Sequence, residues 1–155
     1  MPFMTFLNQA LAQMKDMTAK YAPTALSPEK RYGKGCVTAC ALVTMADGEA
    51  EASELDMAAD FIMGIDTIND YLGVEEANEI LALQIGALQK AFDKNTAMFT
   101  MEVNKMLAEI KSGVESAEWR DSIKALAESM ASSNSAGKAG PDEQKMLDKI
   151  ENAIG

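Results

Sequence analysis

Histidine is absent from the 155 residues of this chain. Histidine is the commonest general base and transition-metal ligand, and it is the side chain whose charge changes nearest to neutral pH. Its absence excludes a Ser-His-Asp or Cys-His catalytic site within this chain. No nucleophile or cofactor motif accompanies the carboxylates, so we expect that the protein is not an enzyme.

Aromatic residues and long apolar runs are also scarce. Aromatics make up 6% of the chain, against 12 methionines, so we expect a core of Leu, Ile, Ala and Met. No stretch approaches the roughly 20 apolar residues that a membrane-spanning helix needs. The N-terminus lacks the basic start and apolar run of a secretory signal, which predicts a cytoplasmic protein.

Cysteine is limited to Cys36 and Cys40, whose four-residue spacing places both on one face of a predicted helix. Two thiolates could contribute to a soft-metal site, but a closed structural site needs four ligands. The sequence favours the alternative of two reduced, buried thiols in a cytoplasmic protein.

Positive charge is in the minority, and the formal net charge is -10. An acidic surface repels nucleic acid, so we expect no nucleic-acid partner. It favours cations, basic protein partners or solubility alone. A local exception is the basic group, which comprises Lys20, Lys30, Arg31 and Lys34. These side chains either contact an anionic surface or are only solvated.

The spacing of apolar residues predicts an all-α fold, a compact single domain of about seven helices. An N-terminal amphipathic helix is predicted within residues 1–22, and a helical domain within 23–155. Helix starts are predicted near Pro28, Ser53, Gly73, Thr96, Trp119 and Pro141. The sequence pattern assigns no secondary structure to residues 67–72. The helix from Pro28 to Met45 is rich in small residues, including Gly33 and Gly35, which predicts close approach of a neighbouring helix.

The turn after this helix concentrates carboxylates around a glycine at position 48; they are Asp47, Glu49, Glu51 and Glu54. Hard cations such as Ca²⁺ and Mg²⁺ bind several oxygen ligands on a backbone that can fold around them. The spacing is not that of an EF-hand, because the sixth and twelfth positions counted from Asp47 hold Ala52 and Ala58. The alternative is ordinary helix capping by solvated acids.

A second part of the chain resembles this one. Met45-Ala46, Gly48 and Glu54 have counterparts in Met130-Ala131, Gly137 and Glu143, with a longer second turn beginning at Ser132. The two segments predict a helix-turn-helix unit used twice, related by a pseudo-two-fold axis.

The run Ala39-Cys40-Ala41-Leu42-Val43-Thr44-Met45-Ala46-Asp47-Gly48, followed by Glu54, resembles the signature of the TerB (tellurite resistance) family. The resemblance implies an all-helical, cytoplasmic, pseudo-two-fold domain that serves tellurite and other stress responses. It implies protein partners in the same stress system, and peripheral membrane association through a membrane-protein partner. Domains of this type also occur in phage genomes, which would make the protein virion-associated.

The resemblance further implies a divalent-cation site, with Ca²⁺ the usual suggestion and Mg²⁺ the alternative. Its ligands would be Asp47, Glu54 and Glu143, with Asp142, Glu49 and Glu51 as helpers. The second motif departs from the family pattern, because Ala136 or Ser132 stands where the family has an aspartate.

Two functional hypotheses follow. In the first, the chain is a non-enzymatic, cation-responsive stress module that presents a helical surface to protein partners. In the second, it is a structural or assembly adaptor, for example a phage virion or complex component. In the adaptor hypothesis, an apolar stripe on the N-terminal helix docks into a larger complex. The alternative is that these residues belong to the core. The stripe comprises Phe3, Phe6, Leu7 and Leu11.

Overall fold

The computed structural model describes residues 3–12, 20–22, 25–134 and 140–155. Within these ranges the chain forms eight helices and no strand, so the all-α prediction is confirmed. The helices are α1 (Phe3–Ala12), α2 (Pro28–Thr44), α3 (Ala52–Met63), α4 (Asp66–Tyr71), α5 (Val74–Lys94), α6 (Thr96–Gly113), α7 (Ala117–Asn134) and α8 (Pro141–Ile154).

Local capping explains why several predicted starts are correct. The Ser27 hydroxyl accepts a hydrogen bond from the Lys30 N–H at 3.3 Å, and Pro28 occupies the first turn of α2. Asn95 ends α5 and begins α6, because its side-chain Oδ1 accepts the Met98 N–H at 2.8 Å. These bonds satisfy amide groups that a helix start leaves without intrahelical partners.

Helix α2 is the centre of the fold. It packs against α3, α4, α5, α6, α7 and α8, and its residues from Cys36 to Thr44 are all buried. A Cβ added at Gly35 would lie 2.9 Å from Cδ1 of Ile123, and one at Gly33 would lie 3.1 Å from Cβ of Leu72. The small residues therefore set the close approach of α2 to its neighbours, as the sequence predicts.

The N-terminal helix belongs to the same core. Phe3 and Leu7 are 5% and 1% exposed, and α1 packs against α3 and α5. The Phe3 N–H donates a hydrogen bond of 2.8 Å to Oδ1 of Asp56 on α3. The side chains of Phe6 and Leu11 lie outside the described part of the structure. Core packing accounts for Phe3 and Leu7, and docking by this stripe stays a prediction.

One unassigned segment and several helix boundaries differ from the sequence prediction. Residues 66–71 form a short helix, α4, with no side-chain cap; burial of Ile68 and packing against α2 hold it in place. Helix α3 begins at Ala52 instead of Ser53, because the Glu51 N–H finds its acceptor in the Glu54 carboxylate. Helix α7 continues through Asn134, past the predicted end at Ala131, so Ser132 is helical and not part of a turn.

The described helices include none that is both long enough and apolar enough to span a bilayer.

Cys36 and Cys40 on α2 are free thiols, and both are buried. Burial raises the pKa of the Cys36 thiol to about 12, and burial raises the pKa of Cys40 as well. Both cysteines are thus inert core residues at neutral pH, as the sequence favours.

A candidate cation site between two helix turns

The first acidic turn joins α2 to α3 and is shaped by Gly48. Gly48 has a φ of +87°, and a Cβ at this position would overlap the ring of Phe92 on α5. Only glycine combines this backbone conformation with so close a contact. Oδ1 of Asp47 accepts the Glu49 N–H at 3.0 Å, which holds the Asp47 side chain against its own turn.

Helix α3 then opens on a carboxylate that turns back toward the helix start. The Glu51 N–H donates a hydrogen bond of 3.2 Å to Oε1 of Glu54, the third residue of the helix. Glu54 is half-buried, whereas Glu49 and Glu51 are exposed. The bond satisfies a free amide at the helix start, where a negative charge also complements the helix dipole.

Helix α8 opens in the same way. Gly140 precedes the helix, Pro141 is its first residue, and the Gly140 N–H donates 3.1 Å to Oε1 of Glu143. Glu143 is half-buried and again the third residue of its helix, while Asp142 beside it is exposed. Glu54 and Glu143, aligned by the sequence comparison, therefore share one local geometry.

The first turn and the start of α8 meet at one cavity of about 180 Å³. The end of α2, the first turn and the start of α3 form one wall, which includes Thr44, Asp47 and Glu54; the start of α8 forms the other, which includes Asp142 and Glu143. Four of the six predicted ligands thus border a common space, although 89 residues of sequence separate Glu54 from Glu143. The packing of α7 and α8 on α2 produces this proximity.

Glu49 and Glu51 face a neighbouring cavity of about 470 Å³, which Asp47 and Glu54 also line. Gln89 and Asp93 of α5 also line it. Asp93 is a carboxylate that no local sequence pattern connects with the first acidic turn. It lies near the end of a different helix, and only the contact of α5 with the first turn brings it to the acidic residues.

The carboxylate groups that border these cavities do not cluster around one common position. No group of three or more potential ligands within the described ranges is close enough to hold a metal ion. Asp47, Glu54 and Glu143 each use one oxygen on an amide of their own turn. A cation would therefore compete with these hydrogen bonds for the carboxylate oxygens.

The electrostatic setting still favours a cation. In the described part of the chain, Asp47, Glu54 and Asp142 form no ion pair with lysine or arginine. Negative charges that border a common cavity repel each other, and a bound cation would remove this repulsion. The chemistry available is oxygen coordination of a hard cation, since the described residues of the cavity lining include no nitrogen or sulfur side-chain ligand.

The basic group is partly neutralised within the fold. The Lys20 ammonium lies 3.5 Å from Oε1 of Glu79, and the Lys34 ammonium lies 3.6 Å from Oε2 of Glu109. Lys30 is exposed at the start of α2. Lys20 and Lys34 are thereby engaged by carboxylates, so the group is a weaker anionic-surface contact than the sequence suggests.

The scan against protein-family models, the search of curated proteins and the search of solved structures found no match to this chain.

Proposed function

We propose that the chain is a non-enzymatic TerB-like stress-response module, associated with tellurite resistance, that binds a divalent cation between its two acidic turns. The observation that carries the proposal is the cavity shared by Asp47, Glu54, Asp142 and Glu143. Calcium is the favoured ion, because it accepts varied oxygen geometries, whereas Mg²⁺ demands a near-ideal octahedron.

The proposed mechanism is ordering of the two turns by the ion. Asp47 and Glu54 belong to the connection between α2 and α3, and Glu143 belongs to the start of α8. A cation bridging them would fix α8 relative to α2 and α3, and would replace like-charge repulsion by attraction. The surface that these helices present to a protein partner would then depend on the ion concentration.

Calorimetric titration of the protein with CaCl₂ and MgCl₂ tests the proposal. We expect saturable heat for the native chain and a large loss of affinity in Asp47→Asn and Glu143→Gln. The matched controls are Asp60→Asn on α3 and Glu128→Gln on α7, both exposed and outside the cavity lining. Absence of binding in the native chain, or equal losses in the controls, would refute the cation site.

An assembly adaptor is the second candidate, and exposed apolar side chains favour it. Met57, Met63 and Met101 are 47%, 48% and 64% exposed. Methionine is adaptable and suits surfaces that accept varied partners. Deleting α1 would be an unsuitable test, since it would also remove core residues. Replacement of the three methionines by glutamine leaves the core intact. If the adaptor proposal is correct, this triple variant should no longer form a complex with its protein partner.

A further inference from the structure

Exposed apolar side chains are concentrated on one part of the surface. Of the five large apolar residues exposed within the described ranges, four lie between positions 57 and 74. Met57, Met63, Tyr71 and Val74 are 47%, 48%, 38% and 41% exposed. Apolar residues scattered singly over a surface are normal, whereas a group of them marks an interaction site.

Helix packing places these side chains near one another. Helices α3, α4 and α5 pack against each other. Met57 and Met63 lie on the solvent face of α3 with the exposed Asp60 between them, since residues three apart on a helix are neighbours. The Met63 carbonyl accepts a hydrogen bond of 2.9 Å from Nδ2 of Asn69, which connects the end of α3 to α4. The exposed residues at the end of α4 and the start of α5 continue the same surface.

The same part of the chain carries the negative charge of the protein. Residues 35–89 contain eleven carboxylates and no lysine or arginine, whereas the other 100 residues contain 13 carboxylates and 14 basic residues. The net charge therefore comes from this segment. Between positions 57 and 75, exposed carboxylates alternate with the exposed apolar side chains. This acidic-apolar face comprises Met57, Asp60, Met63, Asp66, Asp70, Tyr71, Val74 and Glu75.

The charge of this face selects the kind of partner. Within the described ranges, its four carboxylates form no ion pair with lysine or arginine. Their field repels nucleic acid and anionic lipid surfaces and attracts a cationic partner. The apolar side chains between the carboxylates require a partner that is apolar as well as cationic, and methionine adapts to varied apolar side chains.

We propose that the acidic-apolar face is the docking site for a basic amphipathic helix of a protein partner. The apolar stripe of that helix would cover Met57 and Met63, and its lysine or arginine side chains would pair with Asp60 and Asp70. Docking of this kind rests on the adaptor candidate, to which it assigns a partner of defined chemistry. It does not rest on the proposed cation, since the face shares no residue with the two cavities that border the acidic turns.

Binding of a synthetic peptide to the full chain, measured in EDTA, tests this docking. The probe is an amphipathic helix of about 14 leucine and lysine residues with leucine on one face. Two matched peptides have glutamate in place of lysine, or serine in place of leucine. We expect saturable binding of the leucine-lysine peptide, weaker binding of the serine-lysine peptide and no binding of the leucine-glutamate peptide. The affinity should fall as the NaCl concentration rises.

Two independent signals locate the bound peptide. Trp119 is the sole tryptophan, and its ring centroid lies 6.1 Å from that of Tyr71 at the edge of the face. Its fluorescence should therefore change on binding of the leucine-lysine peptide, which has no aromatic residue. In two-dimensional amide NMR, the largest shifts should lie within 57–76.

A double variant, Met57→Gln with Met63→Gln, tests the apolar part of the face. It should weaken binding of the leucine-lysine peptide by about three- to tenfold. Met101→Gln is the matched control, because Met101 is 64% exposed on α6, which packs against α2, α5 and α8. It should leave the affinity unchanged.

A second double variant, Asp60→Asn with Asp70→Asn, tests the charge of the face. It should weaken binding by about two- to tenfold at low salt and reduce the dependence on NaCl. Glu128→Gln with Asp148→Asn is the matched control, with two exposed carboxylates on α7 and α8. Asp60→Asn should also leave calcium binding unchanged, so the peptide and cation measurements fail or succeed separately.

Docking at this face is overturned if the leucine-lysine peptide does not bind, if both double variants bind it as tightly as the native chain, or if its amide shifts lie at the acidic turns. Self-association that Met57→Gln with Met63→Gln abolishes would also overturn it, by assigning the face to a second copy of the chain. If the peptide fails to bind while the triple methionine variant loses its complex, the adaptor candidate stands with a partner of different chemistry.

Discussion

Glu54 and Glu143 hold equivalent positions in two helices and border one cavity. Each is the third residue of its helix, and each accepts the N–H of the residue before the helix, at 3.2 Å and 3.1 Å. Each carboxylate thus has a local role in starting its helix. The shared cavity adds a second role, cation binding, which the two helices can perform only together.

Substitution by glutamine separates these two roles. Glutamine keeps an acceptor at the third helix position but removes the charge, so Glu54→Gln should cost only about 0.3–1 kcal/mol of stability without a cation. The stabilisation by CaCl₂ should be lost. Thermal denaturation in EDTA and in millimolar CaCl₂ measures both effects.

Glu54→Ala is the contrasting variant, since it removes the acceptor as well as the charge. It should be less stable than Glu54→Gln in EDTA. If calcium raises the melting temperature of Glu54→Gln as much as that of the native protein, Glu54 is a capping residue and not a ligand.

Gly48→Ala should destabilise the protein by about 1–3 kcal/mol, since alanine is strained at positive φ. Displacement of the Phe92 ring adds to this cost. Gly64→Ala is the matched control, because Gly64 has a φ of -82° and a Cβ there would lie 3.5 Å from its nearest neighbour. Urea denaturation compares the two variants, and equal destabilisation would show that the Gly48 conformation carries no special cost.

Local signals in the sequence account for much of the fold. The helix starts near Pro28, Thr96 and Pro141 could be predicted because capping residues and prolines act within one helical turn. Helix α4 could not, because it has no capping side chain and depends on burial of Ile68 against other helices. The sequence pattern predicts the end of α7 too early, since small polar residues such as Ser132 can continue a helix that tertiary packing supports.

The sequence predicts the individual residues of the candidate site but not their arrangement around one cavity. The acidic residues and the equivalence of Glu54 and Glu143 follow from the sequence pattern. Their common cavity depends on how α8 packs near the end of α2, which no local pattern specifies. Asp93 is likewise not predictable, because only the tertiary packing of α5 brings it to the first acidic turn. Ala136, one of the two residues predicted to replace the family aspartate, lies outside the described residues.

Stability should fall as the pH rises above about 9, because of the buried thiols. The usual cysteine pKa is 9.0, and burial raises that of Cys36 to about 12. Below pH 9.0 both states carry the thiol, so its contribution to stability is fully present. Between 9 and 12 only the unfolded state ionises, so stability is lost progressively, by up to about 1.4 kcal/mol per pH unit for each thiol.

Urea denaturation at pH 8 and at pH 10.5 measures this loss, and Cys36→Ala should show a shallower pH dependence. Native-state alkylation by iodoacetamide gives an independent check. Both thiols should react far more slowly in the native protein than in urea, because the reactive thiolate is scarce and buried. Rapid native alkylation would contradict the inert role assigned to these cysteines.

Tyr21→Phe should destabilise the protein through Glu79. The Tyr21 hydroxyl donates a hydrogen bond of 2.8 Å to Oε1 of Glu79, and both residues are buried. A tyrosine hydroxyl is protonated at neutral pH, and burial first, with the bond to Glu79 second, raises the pKa of Tyr21 further, so the donor persists well into the alkaline range. Loss of the donor should cost about 1–3 kcal/mol, because Lys20, whose side chain is 57% exposed, is a weak replacement.

Glu79→Gln distinguishes the hydrogen bond from the ion pair. Glutamine keeps an acceptor for Tyr21 and loses only the charge attraction to Lys20, so it should cost less than Tyr21→Phe. Tyr71→Phe is the matched control, since Tyr71 is 38% exposed. Urea denaturation should rank the variants Tyr21→Phe, Glu79→Gln and Tyr71→Phe in order of decreasing cost. A larger cost for Glu79→Gln than for Tyr21→Phe would assign the stabilisation to the Lys20 ion pair instead.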